Sequence, residues 1–117
     1  MEVANFSLTF PASVAVDNQI QRLINAGIPC VVSAGNDSVD ASANSPARVP
    51  GAITVGATQV NGPSGDTWWS GSNFGTLVDI LAPGVSIPSA VNGNVIASAG
   101  DGTSPAAAHV SGAGKVH

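Results

Sequence analysis

The run Ile28 to Ser33 constrains this chain most, because it is almost uninterruptedly apolar and rich in β-branched residues. Such a run, closed by the polar stretch 34–37, is typical of a strand buried on both faces of a parallel sheet. Residues 3–8 predict an earlier short strand, and the apolar spacing between the two predicts a helix that starts near Ser13 and ends at Gly27. Strand, helix and strand in this order predict a parallel crossover unit, and hence an α/β fold.

The rest of the chain predicts short elements separated by tight turns, since the sequence holds 14 glycines and 8 prolines. Residues 38–50 predict a loop, and 53–60 and 77–81 predict strands, the second of which ends at 82–84. Residues 85–87 and 95–97 predict brief extended pieces, with a hairpin turn at Asn92-Gly93. A last helix is predicted to start at Ser104, with Ser as its N-cap and Pro105 at its first position.

Composition excludes several classes of function. At 117 residues and 44% hydrophobic content, the chain is one modest domain or a piece of one. Its three cations, Arg22, Arg48 and Lys115, are far apart and outnumbered by seven Asp and Glu, so we expect no nucleic-acid binding. Apolar stretches break off far short of the roughly twenty residues that a membrane span needs, so we expect no membrane partner. Cys30 is the only cysteine, which we interpret as a buried small hydrophobe.

Ser104 is the first candidate for chemistry, because it follows the glycine-rich turn 100–102 at the start of a helix. A hydroxyl and a backbone N–H at a helix N-terminus lie in a positive potential that favours a developing oxyanion. Local chemistry leaves the alternative open that Ser104 is an ordinary N-cap residue, since capping serines far outnumber nucleophiles.

Four sequence blocks decide between these interpretations. They occur in a fixed order: Asn5-Phe6-Ser7-Leu8, Ala34-Gly35-Asn36-Asp37, Ser72-Asn73-Phe74-Gly75 continuing through 78–84, and Gly102-Thr103-Ser104 followed by 109–112. In these blocks the chain resembles the subtilisin-like serine proteases, particularly the proteinase K-like branch. The resemblance implies that residues 1–117 are a partial peptidase domain, with part of a three-layer α/β fold, a mainly parallel sheet, a crossover helix and a C-terminal nucleophile helix.

The resemblance also implies roles for individual residues. Ser104 would supply the attacking hydroxyl and Asn36 the side-chain donor of the oxyanion hole, and a peptide or protein would be the substrate. The positions that would bind the substrate are Leu8, Thr9, Phe10, Ala34 and Gly35. The family usually has two glycines at Thr9 and Phe10, so these side chains put ordinary peptide binding in doubt, and a repurposed surface strand is the alternative. Asp101, in place of a usual Ser, adds a negative charge near the oxyanion.

A structural calcium site is the one cofactor that the resemblance implies, and none is required for the reaction. Pro50, Ala52 and Asp79 match a site of the proteinase K-like branch, in which two backbone carbonyls and one carboxylate hold the ion. Taken alone, Asp79 is more often a hydrogen-bonded carboxylate at the end of a strand.

The triad is incomplete in this sequence. The family's Asp and His blocks lie upstream of the motifs seen here, and neither His109 nor His117 is a credible base, so we predict no efficient proteolysis by the chain alone. Three hypotheses follow: a secreted serine endopeptidase, a truncated homologue that binds without hydrolysing, and a fragment whose other half comes from another chain. Uncovered sheet edges would favour self-association.

Overall fold

The computed structural model describes residues 2–98 and 100–116, and within them two α-helices and nine strands. The helices are α1 (Val14–Asn25) and α2 (Thr103–Val116). The strands are β1 (Ala4–Phe6), β2 (Phe10–Pro11), β3 (Cys30–Ser33), β4 (Asn44–Ser45), β5 (Ile53–Val60), β6 (Asp66–Trp68), β7 (Ile80–Pro83), β8 (Pro88–Val91) and β9 (Val95–Ser98). None of the helices in the described part of the chain is long and apolar enough to cross a membrane.

The main sheet is mainly parallel, as the sequence predicts. Its path is β1, β3, β5 and β6, with β7 also paired to β5. β1, β3, β5 and β7 run parallel, and β6 alone is antiparallel to its neighbour. Because parallel strands end at the same edge of a sheet, the loops after β1 and β3 are brought side by side.

The two helices cover opposite faces of this sheet, which makes three layers. β3 alternates between them: Val31 packs toward α2 with Ala106 and Ala107, whereas Val32 and Cys30 pack toward Ile20 of α1. Ala106 and Ala107 are fully buried, so the small side chains of α2 let its backbone approach the sheet closely. Burial raises the pKa of the Cys30 thiol, which makes this cysteine a poor nucleophile.

The crossover helix has the ends that its sequence predicts. Ser13 is the N-cap of α1, and its hydroxyl accepts a hydrogen bond from Val16 N at 3.5 Å. Gly27 follows the helix with a φ of +83°, a left-handed conformation that glycine adopts without steric cost. Asp17 pairs with Arg48 at 2.7 Å, which ties the helix to the loop after β4.

Several predicted bounds are wrong. The strand expected at 77–81 is β7, three residues later, and 82–83 belong to it instead of ending it. The extended piece expected at 85–87 lies outside any strand. The hairpin predicted around Asn92-Gly93 is present and is formed by β8 and β9. The loop 38–50 contains the short strand β4, which pairs with β2. β2 and β4 are only two residues long, so neither strand shows an alternating pattern in the sequence.

Candidate active site

Three segments meet at one edge of the sheet: the chain after β1, the chain after β3, and the first turn of α2. They carry Ser7, Asn36 and Ser104 respectively. Ser7 and Ser104 are joined by two hydrogen bonds across 97 residues of sequence, and Asn36 is joined to Thr103. The structure therefore brings together the two residues for which the sequence predicts catalytic roles.

Ser104 lies inside the first turn of α2 and is partly exposed. Its Oγ donates to Ser7 O at 3.2 Å, and Ser7 Oγ donates in turn to Ser104 O at 3.0 Å. The helix begins at Thr103, one residue earlier than predicted, so the expectation that Ser104 is its N-cap is wrong. Within the first four helical residues a backbone N–H has no intrahelical partner, so Ser104 N–H is available to an outside acceptor.

Asn36 caps this helix from another segment. Its Oδ1 accepts from Thr103 N at 2.9 Å and from Thr103 Oγ1 at 2.8 Å, and Thr103 Oγ1 accepts from Gly35 N at 3.1 Å. Within residues 2–98 and 100–116 only the oxygen of this amide is hydrogen-bonded. The nitrogen Nδ2 is therefore left as a donor beside the helix N-terminus, where charge stabilisation is strongest.

Two residues that hold Asn36 were missed as functional residues in the sequence. Thr103 is buried and links Gly35 to Asn36 through its hydroxyl. Asn73 is fully buried, and its side chain binds the loop that carries Asn36. Both residues stand in motif blocks, but bonds across 67 and 36 residues of sequence leave no local pattern that could have revealed their partners.

The predicted substrate-binding residues lie in the two segments that follow β1 and β3. Leu8 and Phe10 are exposed, and Leu8 O accepts from Ser33 Oγ at 3.3 Å. Ala34 is buried, and its N–H donates to Val55 O. The Cγ2 methyl of Thr9 lies 3.5 Å from the position a Cβ would take on Gly35. The methyl therefore fills space between the two strand ends.

The histidines do not complete a triad in the described residues. His109 Nδ1 lies 3.0 Å from Pro105 O, one turn earlier on α2, so this nitrogen carries a proton and donates. His109 and Ser104 both line an open cleft of about 700 Å³ between α2 and β8. Asp101 lines it too, but its Oδ1 accepts from Ser86 N at 2.7 Å. His117 lies outside the described residues.

Of the residues predicted to hold calcium, Pro50 and Ala52 lie just before β5 and Asp79 lies just before β7. Asp79 Oδ2 accepts from Thr54 N at 2.8 Å, which places this exposed carboxylate two residues beyond Ala52. Its Oδ1 makes no hydrogen bond with the described residues. Those residues contain no group of three or more His, Cys, Asp or Glu arranged to hold a metal, so an ion here would depend on backbone carbonyls. Carbonyl and carboxylate oxygens are ligands that calcium accepts.

Comparison with known proteins gives one consistent result. The subtilase family matches residues 1–115 of the chain. An extracellular serine proteinase of Thermus sp. (strain Rt41A) is 47% identical over 116 residues, which are 98% of this chain and 27% of that protein. Proteinase T of Parengyodontium album is 44% identical over 115 residues, 96% of this chain and 36% of that protein.

A solved structure agrees with the sequence matches. The crystal structure of a cold-adapted subtilisin-like serine proteinase superposes with a TM-score of 0.90 at 41% identity. The match covers 97% of this chain and 40% of the other. The chain thus spans about a quarter to a third of the length of the two curated relatives.

Proposed function

This chain belongs to the subtilase family of subtilisin-like serine proteases, and from that premise we propose that it supplies the nucleophile and the oxyanion hole of a serine endopeptidase. The observation that carries the proposal is the link from Asn36 to the first turn of α2, in which Thr103 binds the oxygen of the Asn36 amide. This link leaves Asn36 Nδ2 and Ser104 N–H as two donors without a hydrogen-bond partner among residues 2–98 and 100–116, both at the start of α2.

These groups are suited to acyl transfer. Ser104 Oγ would attack the carbonyl carbon of a peptide bond, while its proton passes to a histidine that the described residues do not place beside it. The carbonyl oxygen becomes an oxyanion held by Ser104 N–H and Asn36 Nδ2. Collapse of the intermediate forms the Ser104 ester and expels the amine, which takes the proton from the histidine. Water then hydrolyses the ester and restores the hydroxyl.

The test is a chimera in which this chain replaces the matching part of the Thermus relative's catalytic domain, so that the remainder contributes the Asp and His. We expect hydrolysis of a peptide p-nitroanilide, none with Ser104→Ala, and a loss of about 100- to 1,000-fold in kcat with Asn36→Leu. That range was itself measured on a member of this family. The chain alone should give little labelling of Ser104 by a fluorophosphonate.

A second candidate is peptide binding without hydrolysis, and the position of Thr9 favours it. Its methyl occupies space beside Gly35 where the family usually has glycine and a substrate backbone approaches. A folded chimera that binds the peptide but gives no turnover, with or without Ser104→Ala, would support this candidate and contradict the first.

We also propose that Asp79, with the carbonyls of Pro50 and Ala52, binds calcium. The fit of the residues supports this, since Asp79 Oδ1 has no hydrogen-bond partner in the part of the chain that the structure describes and Thr54 N fixes the carboxylate beside this turn. Asp79→Asn keeps an acceptor for Thr54 N but removes the charge. Millimolar calcium should therefore raise the unfolding temperature of the parent chain and leave that of Asp79→Asn unchanged. An equal response of both proteins to calcium and to chelator would contradict the site.

The substrate class and location follow the family. Peptides or proteins are the proposed substrates, and secretion is the proposed location because the Thermus relative is named an extracellular enzyme. Recovery of the protein from the producing cells, with none in the culture medium, would contradict secretion.

A further inference from the structure

Asn73 makes more hydrogen bonds to the loop that carries Asn36 than any other side chain in the described residues. Its Oδ1 accepts from Asp37 N at 2.9 Å and from Val39 N at 3.2 Å. Its Nδ2 donates to Ala34 O at 2.9 Å and to Asn44 Oδ1 at 3.0 Å. Both atoms of the amide are thus used twice, and the side chain is completely buried.

The backbone of the same residue adds a further bond, because Asn73 N donates to Gly35 O at 2.8 Å. Residue 35 must be glycine for this arrangement. A Cβ there would overlap Asn73 Nδ2 and lie 3.1 Å from Asn73 Cγ, and the φ of Gly35 is +107°. The glycine at residue 35 therefore allows the buried Asn73 amide to lie this close to the loop backbone.

Asn36 is consequently held from two sides. Thr103 binds its side-chain oxygen from α2, while Asn73 binds residues 34, 35, 37 and 39 around it. Asn44, which accepts from Asn73 Nδ2, extends the contact made by Asn73, since Asn44 Nδ2 donates to Phe10 O at 3.4 Å. The amides of Asn73 and Asn44 thereby connect the loop after β3 to the chain after β1.

We propose that Asn73 is a positioning residue for catalysis, which fixes Asn36 Nδ2 at the distance where it can bind an oxyanion. This inference rests on the proposed function. Asn73 itself does not touch the reacting atoms. Because a misplacement of about 1 Å can cost on the order of 100-fold in rate, a freed loop should lower the stabilisation of the transition state and leave substrate binding nearly unchanged.

The first experiment needs no activity and uses the full chain. Asp37 and Val39 are exposed, so their bonds to Asn73 are the main protection of their N–H groups against hydrogen exchange. In Asn73→Leu, which has a similar volume and no polar atoms, we expect these two amides to exchange at least about tenfold faster. The matched control is Ser72→Ala, which removes the buried bond from Ala57 N and the bond to the Asn73 backbone carbonyl. It leaves the Asn73 side chain and its bonds to the loop in place, and it should leave both amides slow.

The second experiment measures kcat and KM in the chimera described above, at a temperature where each variant is folded. Asn73→Leu should lower kcat about 10- to 100-fold with KM changed less than about twofold, whereas Ser72→Ala should keep both. If Asn73→Leu does not fold, Asn44→Ala removes one bond to the Asn73 amide and should give the same pattern with a smaller change.

The outcomes separate the two claims. Slow exchange at residues 37 and 39 in Asn73→Leu, or a kcat no lower than that of Ser72→Ala, would overturn the positioning role. An inactive parent chimera would instead refute the proposed function. The exchange rates would then decide on their own whether Asn73 holds the loop.

Discussion

Gly102 shows at the scale of one residue how little room surrounds the Asn36 amide. A Cβ on this residue would lie 2.9 Å from Asn36 Nδ2 and 3.3 Å from its Oδ1. The amide is the end of an exposed side chain, so it can move away, but only by lengthening its bonds to Thr103. The absence of a side chain at residue 102 is therefore needed for the observed geometry of the Asn36 amide, the proposed oxyanion donor.

Gly102→Ala should consequently lower both activity and stability, because the added Cβ approaches the Asn36 amide and because the φ of Gly102, +157°, is one that residues with a side chain rarely adopt. We expect about a 10- to 100-fold loss of kcat in the chimera, because the donor is displaced by a fraction of an ångström to about 1 Å. The unfolding temperature should also fall, since alanine is strained at this φ, so kcat is compared at a temperature where each variant is folded. Gly114→Ala is the matched control, since the nearest atom to its Cβ is 4.0 Å away. Equal kcat values for the two variants would count against the displacement of Asn36.

The sequence motifs predict which residues carry the chemistry of the site, but they do not predict which residues hold them. Ser104 and Asn36 stand in short blocks whose composition is distinctive, and the structure places both at the start of α2. Thr103 and Asn73 act through hydrogen bonds to segments far away in the chain. A pattern read along one segment contains no information on which distant segment will lie against it.

At the scale of elements, the end of β7 supports the turn that leads into α2. Gly84 follows β7, and its O accepts from Gly102 N at 2.9 Å while its own N donates to Thr58 O. A Cβ on Gly84 would overlap Gly102 O and lie 2.7 Å from Ala57 Cβ. Gly102 O is a backbone atom and Ala57 belongs to β5, so neither atom can move aside without disturbing packed structure.

Gly84→Ala should therefore destabilise the chain by about 1–3 kcal/mol or more, as expected for an extra methyl group in a well-packed region. Urea unfolding followed by far-UV circular dichroism measures the change. Gly51→Ala is a suitable comparison, because its Cβ would meet only side-chain atoms, the Ile24 methyls at 3.3 and 3.4 Å and Gln21 Nε2 at 3.8 Å, and these can shift. Similar midpoints for both variants would show that the turn tolerates the methyl group.

The predicted elements were most accurate where periodicity and end signals agree. α1 has an apolar face, a serine cap and a terminal glycine, and β5 is a long run of strand-forming residues; both lie within about two residues of their predicted bounds. The predicted bounds of β7 are wrong because the strand continues from the exposed Ile80 and Leu81 through Ala82 and Pro83, whereas proline indicates the end of a strand in sequence. An edge strand tolerates it, since its outer N–H groups need no partner there.

At the scale of the whole molecule, the first and last elements are neighbours. Ser111 Oγ donates to Asn5 Oδ1 at 2.7 Å, and Asn5 Nδ2 donates to Ser7 Oγ at 3.0 Å. Together with the Ser7–Ser104 pair, these hydrogen bonds form a row of polar contacts that joins β1 to α2. Beside it, Val3, Val31, Ile53 and Val110 help to line an apolar hollow of about 390 Å³ between α2 and the sheet.

The closeness of β1 and α2 also determines when a newly made chain acquires its site. Ser7 and Ser104 are 97 residues apart, and ribosomes add about 5–20 residues per second, so Ser104 is made about 5–20 seconds after Ser7. During that interval β1 and β3 can pair, but the turn at Gly102 and the helix that follows do not yet exist. Of the three segments that meet at this edge, the one with the proposed nucleophile is therefore made last, and a chain whose translation stops before it carries the proposed oxyanion donor without the hydroxyl proposed to attack a peptide bond.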